Sequence, residues 1–167
     1  MRDRIRESRL SVLSVASESI HPDLAEAEAL LRPIAPGKFS AIYEPEMPEE
    51  DGRLYRLFQV VFAVGPGDAD VLRAQVHEIL PKMLAALSPL ASVQQADVVS
   101  LRARRFLPDQ NPRSDRPSMF IHVDWTGSAI RQMRKLRNFS IWSYECLAYR
   151  NYHDKIDIFN KRPRESE

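Results

Sequence analysis

The chain of 167 residues has one cysteine, Cys146, and only five glycines. A single thiol excludes an intrachain disulfide framework and leaves a cysteine-based zinc site without ligands. Gly37, Gly52, Gly65, Gly67 and Gly127 never fall into GxGxxG or GxxxxGK[ST], so neither phosphate-cradling loop is present. His21, His77, His122 and His153 never stand three or four residues from one another or from Cys146, so metal-ligand spacing is missing. There is no GxSxG elbow. Asp124 is a lone carboxylate with no evident partner for acid–base work. No apolar run approaches the ~20 residues that span a bilayer. These absences point away from an enzyme and imply no catalytic residue, cofactor, metal, small-molecule substrate or membrane.

What the sequence does have is charge, unevenly placed. The net charge is +1. Residues 1–98 carry 10 Lys/Arg against 15 Asp/Glu, whereas residues 99–151 carry 10 against 4. A basic second half on an acidic first half suggests a footprint for a polyanion. The plainer alternative is a solvated basic face.

Residues 1–53 read as an N-terminal extension. Arg2, Arg4, Arg6 and Arg9 stand with Ser8, Ser11, Ser14 and Ser17, as in an organellar presequence, but Asp3 and Glu7 break the acid-poor pattern. His21-Pro22-Asp23 precedes a short helix carrying Leu24, Ala27 and Leu31. Lys38 to Ile42 suits a short strand. Glu44 to Gly52 holds five acids and two prolines and reads as a linker or surface loop.

From residue 54 the periodicity sharpens. Leu54 to Val64 alternates Phe58, Val60, Phe62 and Val64 with Leu57, Val61 and Ala63, so both faces are largely apolar. Asp68 or Asp70 caps a helix striped by Leu72, Val76, Ile79, Leu80, Met83, Leu84 and Leu87, and Pro81 predicts a kink or early end. Val98 to Phe106 is a second strand, with Val99, Leu101, Ala103 and Arg105 on one face and Arg102 and Arg104 on the other. Leu107 to Pro117 is a polar loop. Ser118 to Trp125 is a third strand, followed by a helix capped by Thr126 or Ser128 with a stripe of Ile130, Met133 and Leu136. Ile141 to Tyr149 is a fourth strand, and residues 152–167 form a polar tail.

Strand, helix, strand, strand, helix, strand is the order of a split βαβ unit. The expected fold is therefore α+β and ferredoxin-like over residues 54–151. It comprises a four-stranded antiparallel sheet with two helices on one face. The other face would stay open, offering Leu57, Val61, Leu147 and Tyr149 to a protein partner. The alternative is that residues 1–53 or the tail cover it. The basic constellation comprises Arg102, Arg104 and Arg105 on the second strand, Arg113 and Arg116 in the loop, Arg137 closing the second helix, and Arg150 closing the last strand. Arginine forks match phosphate oxygens in pairs.

Several segments carry a resemblance. Phe58-Gln59-Val60-Val61-Phe62-Ala63-Val64-Gly65-Pro66 resembles the opening strand of bacterial small-subunit ribosomal protein six. Leu101-Arg102-Ala103-Arg104-Arg105-Phe106-Leu107-Pro108 is similar to its second strand, with Arg104 at the family's arginine position. Leu101, Arg102 and Pro108 depart from the tryptophan, glycine and tyrosine usual there. Met119 to Trp125 and Leu136-Arg137 resemble later segments. The resemblance implies a structural constituent of the small ribosomal subunit, binding ribosomal RNA beside ribosomal protein eighteen, with no cofactor. With the extension, it implies a mitochondrial ribosome, a cytoplasmic or plastid one being the alternative. Competing readings are an independent single-domain RNA-binding module, which lacks the glycine-bearing RNP1 pattern, and a ferredoxin-like ligand-binding dimer or small enzyme using His122 and Asp124.

Overall fold

The structure is a computed structural model, and it describes residues 21–140 and 146–152. In chain order these form α1 (Leu24–Leu31), β1 (Phe39–Pro48), β2 (Leu54–Val64), α2 (Ala69–Leu87) and α3 (Ala91–Gln95). They continue with β3 (Val98–Arg105), β4 (Ser118–Thr126), α4 (Gly127–Leu136) and β5 (Ala148–Asn151). The strands make one five-stranded sheet in the order β1-β2-β3-β4-β5. β2 and β3 are parallel, and every other neighbouring pair is antiparallel.

The α+β class expected from the sequence stands. The four-stranded antiparallel sheet does not: there are five strands, and one pair is parallel. The order differs too. A split βαβ unit would seat β4 beside β2, whereas α2 here carries the chain from β2 to its direct neighbour β3. The physical reason lies in residues 38–52. Phe39–Pro48 form an edge strand, which extends the short strand expected at Lys38 to Ile42 into the segment expected to be a linker, and β1 occupies the outer side of β2 along Phe39–Glu44 and again at Met47 and Pro48. The last strand therefore adds to β4. Pro45 lies in the irregularity between Glu44 and Met47, where an edge strand tolerates a residue without an N–H. Charged and proline-bearing edges of this kind discourage further strand addition.

Period-two alternation sorts the sheet into two faces. The first presents Phe58, Val60 and Phe62 of β2, Val99, Leu101 and Ala103 of β3, Ile121, Val123 and Trp125 of β4, and Tyr149 of β5, all buried. One core cluster joins them to Ala27 and Leu31 of α1, to the Leu72–Leu87 stripe of α2, and to Ile130 and Met133 of α4. Burying each such aromatic or aliphatic side chain favours folding by roughly 1.5–3 kcal/mol over leaving it exposed. The N-terminal helix thus packs on the helical side, and the second face remains without a helix of this cluster.

Local signals explain the ends. Asp68 caps α2, accepting the N–H groups of Asp70 and Val71 at 3.0 and 3.1 Å. Pro81 neither stops nor splits that helix, which runs 19 residues to Leu87; the packing of its apolar stripe outweighs one missing backbone donor. Thr126 Oγ1 caps α4 through the Ala129 N–H at 3.1 Å. Arg137, at φ 53°, closes it in the left-handed region. Of the expected fourth strand, residues 141–145 lie outside the described residues, and Ala148–Asn151 is the strand that pairs. The expected presequence pattern and most of the tail also lie outside them.

Candidate nucleic-acid interface

The second face of the sheet is assembled rung by rung. In register, Val61 of β2 stands beside Arg102 of β3, Arg102 beside His122 of β4, and His122 beside Arg150 of β5. The neighbouring rung reads Gln59, Ser100, Asp124 and Ala148. Arg104 follows on the far side of Arg102, opposite Ala63 and Met119. Three arginines and a histidine from three strands therefore share this face, with Asp124 as the carboxylate among them.

The centre of the face is hydrogen-bonded. His122 Nε2 lies 2.7 Å from Asp124 Oδ1 and 3.2 Å from Ser100 Oγ. A carboxylate accepts only, so the short contact puts a proton on Nε2. Arg102 Nε donates to Ser100 Oγ at 3.3 Å. Serine, histidine and aspartate thus meet, but both oxygens address the same ring nitrogen. A relay needs the carboxylate on one nitrogen and the hydroxyl on the other. The cluster orders the side chains of the face and does not assemble a nucleophile.

The expected RNA-contacting residues divide into three places. Arg102, Arg104 and Arg150 fall on the second face, with Arg150 exposed and the other two half-buried. Arg113 and Arg116 are exposed on the 107–117 loop. That loop is internally ordered: Leu107 N–H donates to Gln110 Oε1 at 2.8 Å, and Asn111 N–H to Asp115 Oδ2 at 2.7 Å. Arg105 sits on the helical side, its guanidinium 5.4 Å from the Phe120 ring centroid. Its Nε and Nη1 are buried without a hydrogen-bond partner. Arg137 lies on the opposite flank, in a groove of about 920 Å³ lined also by Gln94, Arg131, Arg134 and Lys135.

The expected partner-facing residues also separate. Val61 and Leu147 are half-buried. Leu57 is on the second face but only 3% exposed. Tyr149 belongs to the core, and its hydroxyl lies 2.7 Å from His77 Nε2 on α2. Tyr149 is therefore not available to a partner on the open face.

One cationic residue had no signal in the sequence. Lys38 borders a second cavity, of about 400 Å³, with Arg104 and Arg113. Only the pairing of β1 on β2 brings it there, its carbonyl accepting the Ala63 N–H at 3.1 Å.

Compared with family models, with curated proteins and with solved structures, the chain matches none. Among the described residues, no group of three or more His, Cys, Asp or Glu could hold a metal ion. No described helix is long and apolar enough to cross a membrane.

Proposed function

We propose that the protein is a non-catalytic RNA-binding protein that uses the open face of its sheet. The observation that carries this reading is the rung Arg102–His122–Arg150, with Arg104 one rung on. Cationic forks spaced across a sheet suit the phosphates of a nucleic-acid backbone, and such contacts position the chain without reading its sequence. Single-stranded nucleic acid is the form that a shallow charged face tracks most readily.

The narrower reading is a mitochondrial small-subunit ribosomal protein beside ribosomal protein eighteen. Its support is the sequence resemblance over residues 54–151. The sheet order β1-β2-β3-β4-β5 departs from the split βαβ order that this family implies, so the conclusion is drawn at the level of RNA. Val61, half-buried in the cationic rung, is the residue that would meet a protein neighbour, with Leu147, half-buried just before β5, as the second candidate.

Two measurements test the reading. Fluorescence anisotropy with a labelled single-stranded oligoribonucleotide is expected to show binding that weakens as salt rises. No binding at low salt refutes the RNA reading. Sedimentation of tagged protein from gently lysed cells tests the narrower one. Co-migration with small ribosomal subunits supports it, and a slowly sedimenting protein that still binds RNA leaves the general reading alone.

A further inference from the structure

The second cavity lies where the start of β1, the end of β3 and the 107–117 loop meet. Lys38, Arg104 and Arg113 border it, and Asp115 is the carboxylate in its lining. Several other cations of the described residues are engaged: Arg56 with Asp97, Arg73 with Asp70, Lys82 with Glu78, Arg131 with the Gln94 carbonyl. Among the described residues, the side chains of Lys38, Arg104 and Arg113 have no ion-pair or hydrogen-bond partner. Asp115 is already used by the loop, accepting the Asn111 N–H. Three unpaired cations around one concavity repel each other, and an anion placed between them relieves that repulsion.

Apart from Ser40, the rest of the lining is apolar and includes Pro112 and Pro117. A ligand that fills this space carries both an anionic group and a flat, weakly polar body. The volume, about 400 Å³, is in the range of small-ligand sites. We propose that this cavity is a pocket for a nucleoside monophosphate unit. Lys38, Arg104 and Arg113 surround its phosphate, and the loop prolines Pro112 and Pro117 face its base. The loop's internal bonds, the Arg113 N–H to Asn111 Oδ1 at 2.9 Å among them, order its backbone before the ligand arrives, which lowers the cost of binding. The groove beside α4 differs: it has four cations but no aromatic residue in its lining.

The unit has two sources, a free nucleotide or one nucleotide of an RNA chain. Only the second rests on the RNA reading above, because Arg104 belongs both to the cavity and to the open face. Calorimetric titration with adenosine 5′-monophosphate, adenosine and inorganic phosphate, and anisotropy with a single-stranded oligoribonucleotide, separate the sources. Arg113→Ala is the test variant, since the side chain is exposed on a loop. Arg134→Ala, beside α4, is the control. Where the source is a free nucleotide, the monophosphate is expected to bind about tenfold tighter than adenosine, with that margin lost in Arg113→Ala and kept in Arg134→Ala. Monophosphate binding without RNA binding supports a free nucleotide and refutes the RNA reading alone. RNA binding weakened by Arg113→Ala, with the monophosphate displaced by RNA, supports the chain-borne source. RNA binding untouched by Arg113→Ala, together with no monophosphate binding, overturns the pocket and leaves the RNA reading standing. Phosphate competing as well as the monophosphate overturns the nucleoside part.

Discussion

The carboxylate of Asp23 accepts the backbone N–H of Ser92 at 2.8 Å, so the residue that precedes α1 caps α3 instead. Neither helix has a side-chain cap of its own, since Asp23 makes no bond into α1 and Leu90 has none to offer. Burial raises the Asp23 carboxyl, but the backbone and hydroxyl of Ser92 and the nearby His21 outweigh it, holding the group below 3.8. A depressed carboxyl contributes stability that is present above its unfolded value and lost as pH falls through the folded one. Asp23→Ala is expected to cost about 1 kcal/mol at pH 7. Urea denaturation of the two proteins should converge once the pH has fallen well below 3.8. A gap that persists in acid would separate the loss from ionisation.

Gly127 opens α4 where the chain passes α3. Its N–H donates to the Asp97 carbonyl at 2.9 Å, and a Cβ there would collide with the Ala96 carbonyl oxygen. The obstacle is backbone, which cannot swing aside as a side chain does. Gly127→Ala is therefore expected to destabilise by roughly 1–3 kcal/mol despite the better helix propensity of alanine. Thermal denaturation at neutral pH checks it, and an unchanged melting temperature would mean that α4 can shift without loss.

Tyr149 ties β5 to α2 through His77, hydroxyl to Nε2 at 2.7 Å. Burial, with the charge of Arg73 behind it, pushes His77 below its usual 6.5. The folded state thus favours the neutral ring. The stability this provides is complete above pH 6.5 and declines as pH falls toward the folded value. Tyr149→Phe is expected to cost about 1 kcal/mol. His77→Gln is expected to flatten the fall in urea midpoint between neutral and mildly acidic pH; an equally steep fall would place the sensitivity elsewhere.

Much of this was legible in the chain. Phe58, Val60, Phe62 and Val64 alternate strictly, and they line the helical face as alternation requires. The same rule set Arg102 and Arg104 apart from Arg105, which ends on the core side over Phe120. The strand order was not legible. The four residues of β5 are compatible with either free edge, and the edge they take depends on β1 having filled the other. The start of β1 was legible as a short strand at Lys38 to Ile42, but its extension to Pro48 was hidden by Glu44, Pro45, Glu46 and Pro48, because the signals of a protected edge strand are also those of a linker. Lys38 joins the cavity through that same pairing, so its role could not be read before the pairing was known.

Leu57 and Val61 share a face and an apolar character, yet Leu57 is 3% exposed and Val61 is half-buried. The two aspartate substitutions should therefore diverge. Leu57→Asp buries a carboxylate with no partner built for it and is expected to cost more than about 3 kcal/mol. Val61→Asp should fold with a cost near 1 kcal/mol, about that of an ordinary point substitution. It should nonetheless weaken RNA binding, because a negative charge would enter the rung of Arg102 and Arg150. Equal denaturation midpoints for the two variants would refute this division of the face.

The placement of the three β3 arginines gives the sharpest test of the interface. Arg102 and Arg104 lie on the second face, whereas Arg105 lies on the helical side with two buried donors. Each phosphate contact releases counterions, so the slope of log affinity against log salt counts the contacts, at about −0.7 per phosphate for single strands. Arg102→Ala and Arg104→Ala are each expected to reduce the magnitude of that slope by about one contact. Arg105→Ala should leave the slope unchanged and act on stability alone, through its stacking on Phe120. Anisotropy titrations over a series of salt concentrations measure all three. A slope that moves with Arg105 but not with Arg102 or Arg104 would transfer the interface from the open face to the helical side and its basic groove beside α4.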